Sequence, residues 1–104
     1  MKIMKVFDLK AMASALYEER NKNVFYEAKE FKARIIELQA GGKIPNCEMA
    51  SYVIFYVLSG SAEVSVNQKK TPIKEGQCLI SDPSTISMMS DKGAKILGIQ
   101  VVKN

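Results

Sequence analysis

The sequence predicts an all-β sandwich or barrel preceded by a short N-terminal helix. From Val24 onward, short runs rich in valine, isoleucine and aromatics recur at close intervals, each closed by turn residues. No helical period of useful length follows residue 23. Before it, Leu9, Met12, Ala13 and Leu16 fall at helical spacing. The length of 104 residues is that of one domain, which can bury a single core.

Met1 to Val6 alternates loosely and is expected to form a short edge strand. Asp8 is placed as a helix N-cap, its carboxylate accepting from exposed amides of the first turn. The helix is expected to run to about Arg20 and to end at Asn21-Lys22-Asn23. Residues 1–23 then form an extension to the body of the fold. Strands are expected at about 24–28, 31–39, 51–59, 61–66, 69–74, 77–81, 85–89 and 94–102. Residues 41–50 read as turn-rich, and Gly60 as a strand end. Ala62 to Val66 alternates with the period of two of a half-buried strand, and Asn67-Gln68 turns it into a hairpin. Asp82-Pro83-Ser84 is a second turn, its proline presetting φ. In Ala33 to Leu38 adjacent apolar residues break strict alternation, which a bulge would explain.

Composition excludes several function classes. The net charge is +4, but the lysines are scattered and only Lys69-Lys70 form a pair. Nucleic-acid binders gather basic charge on one face, so no nucleic-acid partner is expected. The longest apolar run, Tyr52 to Leu58, falls far short of the roughly 20 residues that span a bilayer, so no membrane partner is expected either. Lys5, Asp8 and Lys10 interrupt the N-terminal hydrophobic residues, against a signal peptide. A cytoplasmic protein with reduced Cys47 and Cys78 is the expectation. The chain has no histidine, which removes the usual general base and the commonest transition-metal ligand together.

The stretch Gly41 to Gly60, GGKIPNCEMASYVIFYVLSG, carries a spacing of its own. Gly41 is followed by five residues, Cys47-Glu48-Met49, three residues, Val53, six residues and Gly60. This frame resembles the first motif of the cupin superfamily, in which two histidines and a glutamate occupy the positions of Cys47, Met49 and Val53. Gly76 opens a segment, EGQCLISDP, similar to the second motif. Counted from Pro83 its histidine position falls on Met88; counted from Gly76 it falls on Ser87. The resemblance covers about residues 31–102 and implies a small jelly-roll barrel with a short N-terminal helix, often a homodimer. In that family three imidazoles and a carboxylate hold a metal inside the barrel. Here the ligand positions read Cys47, Met49, Val53 and Met88, so no metal or other cofactor is expected and the glycine turns are kept.

Alternation places Val53, Phe55 and Val57 inward, with Met49 and Met88 facing the same interior. The simplest expectation is an apolar filling, for which flexible methionine is suited. It leaves a metal-free barrel binding a small molecule in a largely apolar pocket. Two alternatives give an enzyme: a sulfur-ligated metal such as copper on Cys47, Met49 and Met88, or a Cys47 thiol acting as nucleophile near Lys43. Arg34 and Glu37 are the polar groups placed to approach the barrel mouth, with register deciding which faces in. Their plainer reading is a solvated surface. Tyr52, Tyr56 and Asn46 are candidates for the rim, and Cys78 reads as a buried small hydrophobe.

Overall fold

The computed structural model describes residues 4–15 and 17–103. Its strands are β1 (Val24–Glu27), β2 (Phe31–Leu38), β3 (Lys43–Glu48), β4 (Tyr52–Val66), β5 (Lys69–Lys74), β6 (Cys78–Ser81), β7 (Thr85–Met89) and β8 (Ala94–Val101). All pair antiparallel in a curled sheet, a jelly-roll half-barrel, ordered β1-β2-β8-β4-β7-β3, with β5 and β6 also bound to β4.

The architecture turns on β4, which is 15 residues long. Its first half pairs with β6 and β8, its second half with β5 and β7. The expected break at Gly60 is therefore a crossing point within one strand. Gly60 has a φ of +78°, a left-handed conformation that glycine adopts without steric cost. A Cβ there would lie 2.2 Å from the Gly93 carbonyl oxygen, so the approach of the β8 entry turn also demands a residue with no side chain. At the far end of β4, Asn67 and Gln68 both have positive φ, the signature of a two-residue type I′ hairpin turn.

The sequence-predicted strands stand within a residue or so of their expected ends, with two differences. Besides the fusion across Gly60, β3 occupies residues expected to be turn. Pro45 and the polar Asn46 conceal it: proline cannot donate to a ladder and is confined to edges and bulges. β3 satisfies both conditions, being an edge strand whose register with β7 shifts between Ile44 and Cys47.

The N-terminal expectations are corrected. Residues 4–8 form no strand, and the expected edge strand otherwise falls on residues 1–3, outside the described residues. Among the described residues from Asp8 to Arg20 there is no α-helix. Asp8 Oδ1 does accept from the Ala11 amide, at 3.4 Å, but closes only a single turn. A 3-10 segment, Tyr17–Asn23, follows with a kink at Glu19. Leu16, one of the apolar residues that suggested a helix, lies outside the described residues. Tertiary bonds capture the backbone groups a helix would use. Lys95 Nζ donates to the Lys10 and Met12 carbonyls at 2.9 and 2.6 Å. The Asn23 side chain bonds both the amide and the carbonyl of Ala15. An amphipathic segment this short is marginal in isolation, so such contacts decide its conformation.

The core lies on the concave side of the sheet. Val53, Phe55, Val57 and Val64 of β4 meet Ile96, Met88, Ile86 and Ile73 there. Tyr52 and Tyr56 alternate with them on the outer face and are exposed, which removes both from the pocket rim. Cys78 pairs opposite Tyr56 on this outer face and is exposed rather than buried, because β6 pairs with β4 alone and leaves its outward side to solvent.

Candidate functional site: an apolar cavity with one cationic wall

Strand register builds the site row by row. On the inner face, Ile36, Ile96 and Val57 stand opposite one another across β2, β8 and β4. The next row is Arg34, Gly98 and Phe55, and the next is Lys32, Gln100 and Val53. The Ile36–Ile96–Val57 row is filled. In the Arg34 row, Gly98 carries no side chain, and the row borders a cavity. A methyl added at Gly98 would come within 2.9 Å of Ile36 Cδ1 and 3.7 Å of Arg34 Cγ. The missing side chain makes room for these two neighbours and for the cavity they border.

That cavity has a volume of about 210 Å³. Its apolar walls come from Ile36, Ile44, Met49, Val53, Phe55 and Ile86. The bulge in β3 matters to the wall. A regular strand would turn Ile44 and Cys47, three residues apart, to opposite faces. The irregularity between them brings both to the cavity, and Cys47 stands opposite Ile86 of β7. Met49 follows, anchored by its amide to the Ser84 carbonyl at 2.9 Å. On another side Ala15, Asn21 and Asn23 of the N-terminal segment close over the space. Asn23 is buried, and its clamp on Ala15 holds that cover in place.

The polar end is made by Arg34 and Gln100. Arg34 is half-buried, and its Nη2 donates to Gln100 Oε1 at 3.0 Å. Glu37 also borders the cavity, but it alternates with Ile36 onto the outer side of β2. Its carboxylate accepts there from the Ser14 hydroxyl.

Of the residues singled out in the sequence, Arg34, Glu37, Cys47, Met49, Val53 and Phe55 border this cavity. Met88 and Val57 do not; both are buried in the packed core, Met88 opposite Ile44 and Val64. Asn46 is exposed on the bulge of β3. Sequence reasoning missed Asn23, Gly98 and Gln100. Only Gly98 left a readable signal, as an isolated glycine inside an otherwise apolar strand pattern.

The metal centre usual for the resembled family does not fit these residues. Val53 offers no donor atom, and Met88 does not reach the cavity that Cys47 and Met49 border. Two sulfur ligands remain, fewer than the three protein ligands of an open catalytic site. Among the described residues no group of three or more His, Cys, Asp or Glu side chains is placed to hold an ion.

The sequence matches no protein-family model and no curated protein. The fold has many solved counterparts. An RmlC-like cupin protein from Desulfovibrio desulfuricans superposes with a TM-score of 0.78 at 19% identity, over 95% of this chain and 97% of that one. The TT1209 protein of Thermus thermophilus gives 0.81 at 17% identity, over 97% and 100%. A cupin superfamily protein from Desulfitobacterium hafniense gives 0.72 at 12% identity, over 77% and 74%. The fold is that of the cupin superfamily. Among the described residues no helix is long and apolar enough to cross a membrane.

Proposed function

We propose that this chain is a metal-independent cupin-fold domain that binds a small molecule in the cavity between β2, β3, β4, β7 and β8. The observation that carries the reading is the open Arg34–Gly98–Phe55 row beside a filled one. Apolar walls with a few placed polar groups are the usual make-up of a small-molecule site. The donor set argues against metal chemistry at the same place. Cys47 borders the cavity but is exposed, and Glu37, the one carboxylate among the described lining residues, is turned to the outer side of the sheet. With no histidine in the chain and that carboxylate turned away, no base stands ready to activate the thiol, which favours binding over nucleophilic catalysis.

The test is a titration of the EDTA-treated protein with benzyl alcohol, a neutral ring-sized probe, followed by methyl NMR. Saturable shifts at Ile36, Ile44, Val53 and Ile86, unchanged when transition metals are added back, are expected. Absence of binding to the stripped protein, or binding that appears only with a full equivalent of metal, overturns the reading.

A further inference from the structure

The outer surface of the sheet is divided in chemistry. Along the second half of β4 the residues turned from the core are Ser61, Glu63 and Ser65, flanked by Lys70 of β5 and Ser87 of β7. Apolar-in and polar-out is the pattern of a sheet with one solvated face. Along the first half of β4 the outward residues are Tyr52, Ile54 and Tyr56. Val101, Ile99 and Leu97 of β8 stand opposite them on one side. On the other, Ile80 and Cys78 of β6 stand opposite Ile54 and Tyr56. Both faces of the sheet are apolar here, although Ile80 is 70% and Tyr56 39% exposed. None of these eight residues is Asp, Glu, Lys or Arg, in a chain with 15 basic and 11 acidic residues.

Independently of the cavity, we infer that this face is the contact surface for a second copy of the chain, packed about a twofold axis. Three considerations select that partner. Size is the first. Three strands about 4.8 Å apart and five residues at about 3.4 Å each give an apolar centre of roughly 14 by 17 Å. With a polar rim of about 5 Å around it, two such faces bury roughly 1,300 Å², above the ~1,000 Å² that a specific interface clears. Composition is the second. Non-obligate interfaces are no more apolar than the rest of a protein surface, whereas homodimer interfaces are distinctly richer in apolar area. Charge is the third. In a twofold contact a patch meets itself, so two chains of net charge +4 come together best across a face that carries no cation.

The experiment is sedimentation of the full chain at graded concentrations, wild type beside Y56K, I80K and S61K. The wild type is expected to be a dimer at about 100 µM. Y56K and I80K each place an unpaired charge in the contact and are expected to weaken it at least about 30-fold. S61K adds the same charge on the polar half, at an exposed position, and should leave dimerisation within about twofold. A wild-type chain that stays monomeric overturns the proposal, as does a dimer that both Y56K and I80K leave intact. Thiol alkylation gives a readout that needs no variant. As the wild type dimerises, Cys78 should react more slowly, while Cys47, exposed on the cavity rim, should keep its rate. A Cys78 as reactive in the dimer as in the monomer places the contact elsewhere and overturns the assignment of this face.

Discussion

Two neighbouring rows of the same three strands end in opposite ways. Ile36, Ile96 and Val57 close one level of the barrel interior, with Ile96 and Val57 fully buried. Two residues along each strand, Arg34, Gly98 and Phe55 leave the interior open. The two levels differ in side-chain volume at the β8 position, isoleucine in one and glycine in the other, and the β4–β8 register shifts just beyond Val57. The family-type ligand frame divides along the same line. Cys47, Met49 and Val53 border the cavity, whereas Met88 has gone into the packing.

The comparison breaks most readily on the filled side. Ile96→Ala is expected to cost about 2–5 kcal/mol, the range for truncating a buried isoleucine, read as a lower denaturant midpoint at unchanged slope. A cost below about 1 kcal/mol would show that this level is no better packed than its neighbour. On the open side Gly98→Val is expected to fill the cavity and cost about 1–3 kcal/mol through crowding of Ile36 and Arg34. Its sharper readout is binding: benzyl alcohol affinity should fall at least about tenfold, as lost apolar contact area implies. Unaltered binding in a folded Gly98→Val chain would mean that the ligand sits elsewhere. The smallest effect is expected at Cys47→Ser. The side chain is exposed at the rim, so stability should stay within about 0.5 kcal/mol and benzyl alcohol affinity within about twofold. A large loss of affinity would make the thiol part of the site.

Much of the fold was legible because a strand's hydrophobic alternation is a local property. The bounds of β5 and β7, and the Asn67-Gln68 turn, follow from residues within a few positions of one another. β3 was not legible, since its pairing with β7 overrides a proline and a polar run that locally say turn. The N-terminal helix failed for the same reason in reverse. Lys95 is far away in sequence, yet it takes the carbonyls of Lys10 and Met12. The site was half legible. Spacing within one stretch marked Cys47, Met49 and Val53, and alternation marked Phe55. Register with β8 is what turns Arg34 inward beside Gln100, and a single sequence does not display register.

The position of β8 has a consequence for how the molecule is made. It is the last strand in sequence, yet it lies between β2 and β4 in the sheet. While the chain emerges in order, β1 and β2 have no permanent seat, and both wait for a segment synthesised some sixty residues later, a separation that slows folding. The hairpin of β4 and β5 has no such wait. The cavity, which Gly98 of β8 and Arg34 of β2 both border, is therefore among the last features to exist, and a small molecule that filled it would act on the closing step of assembly.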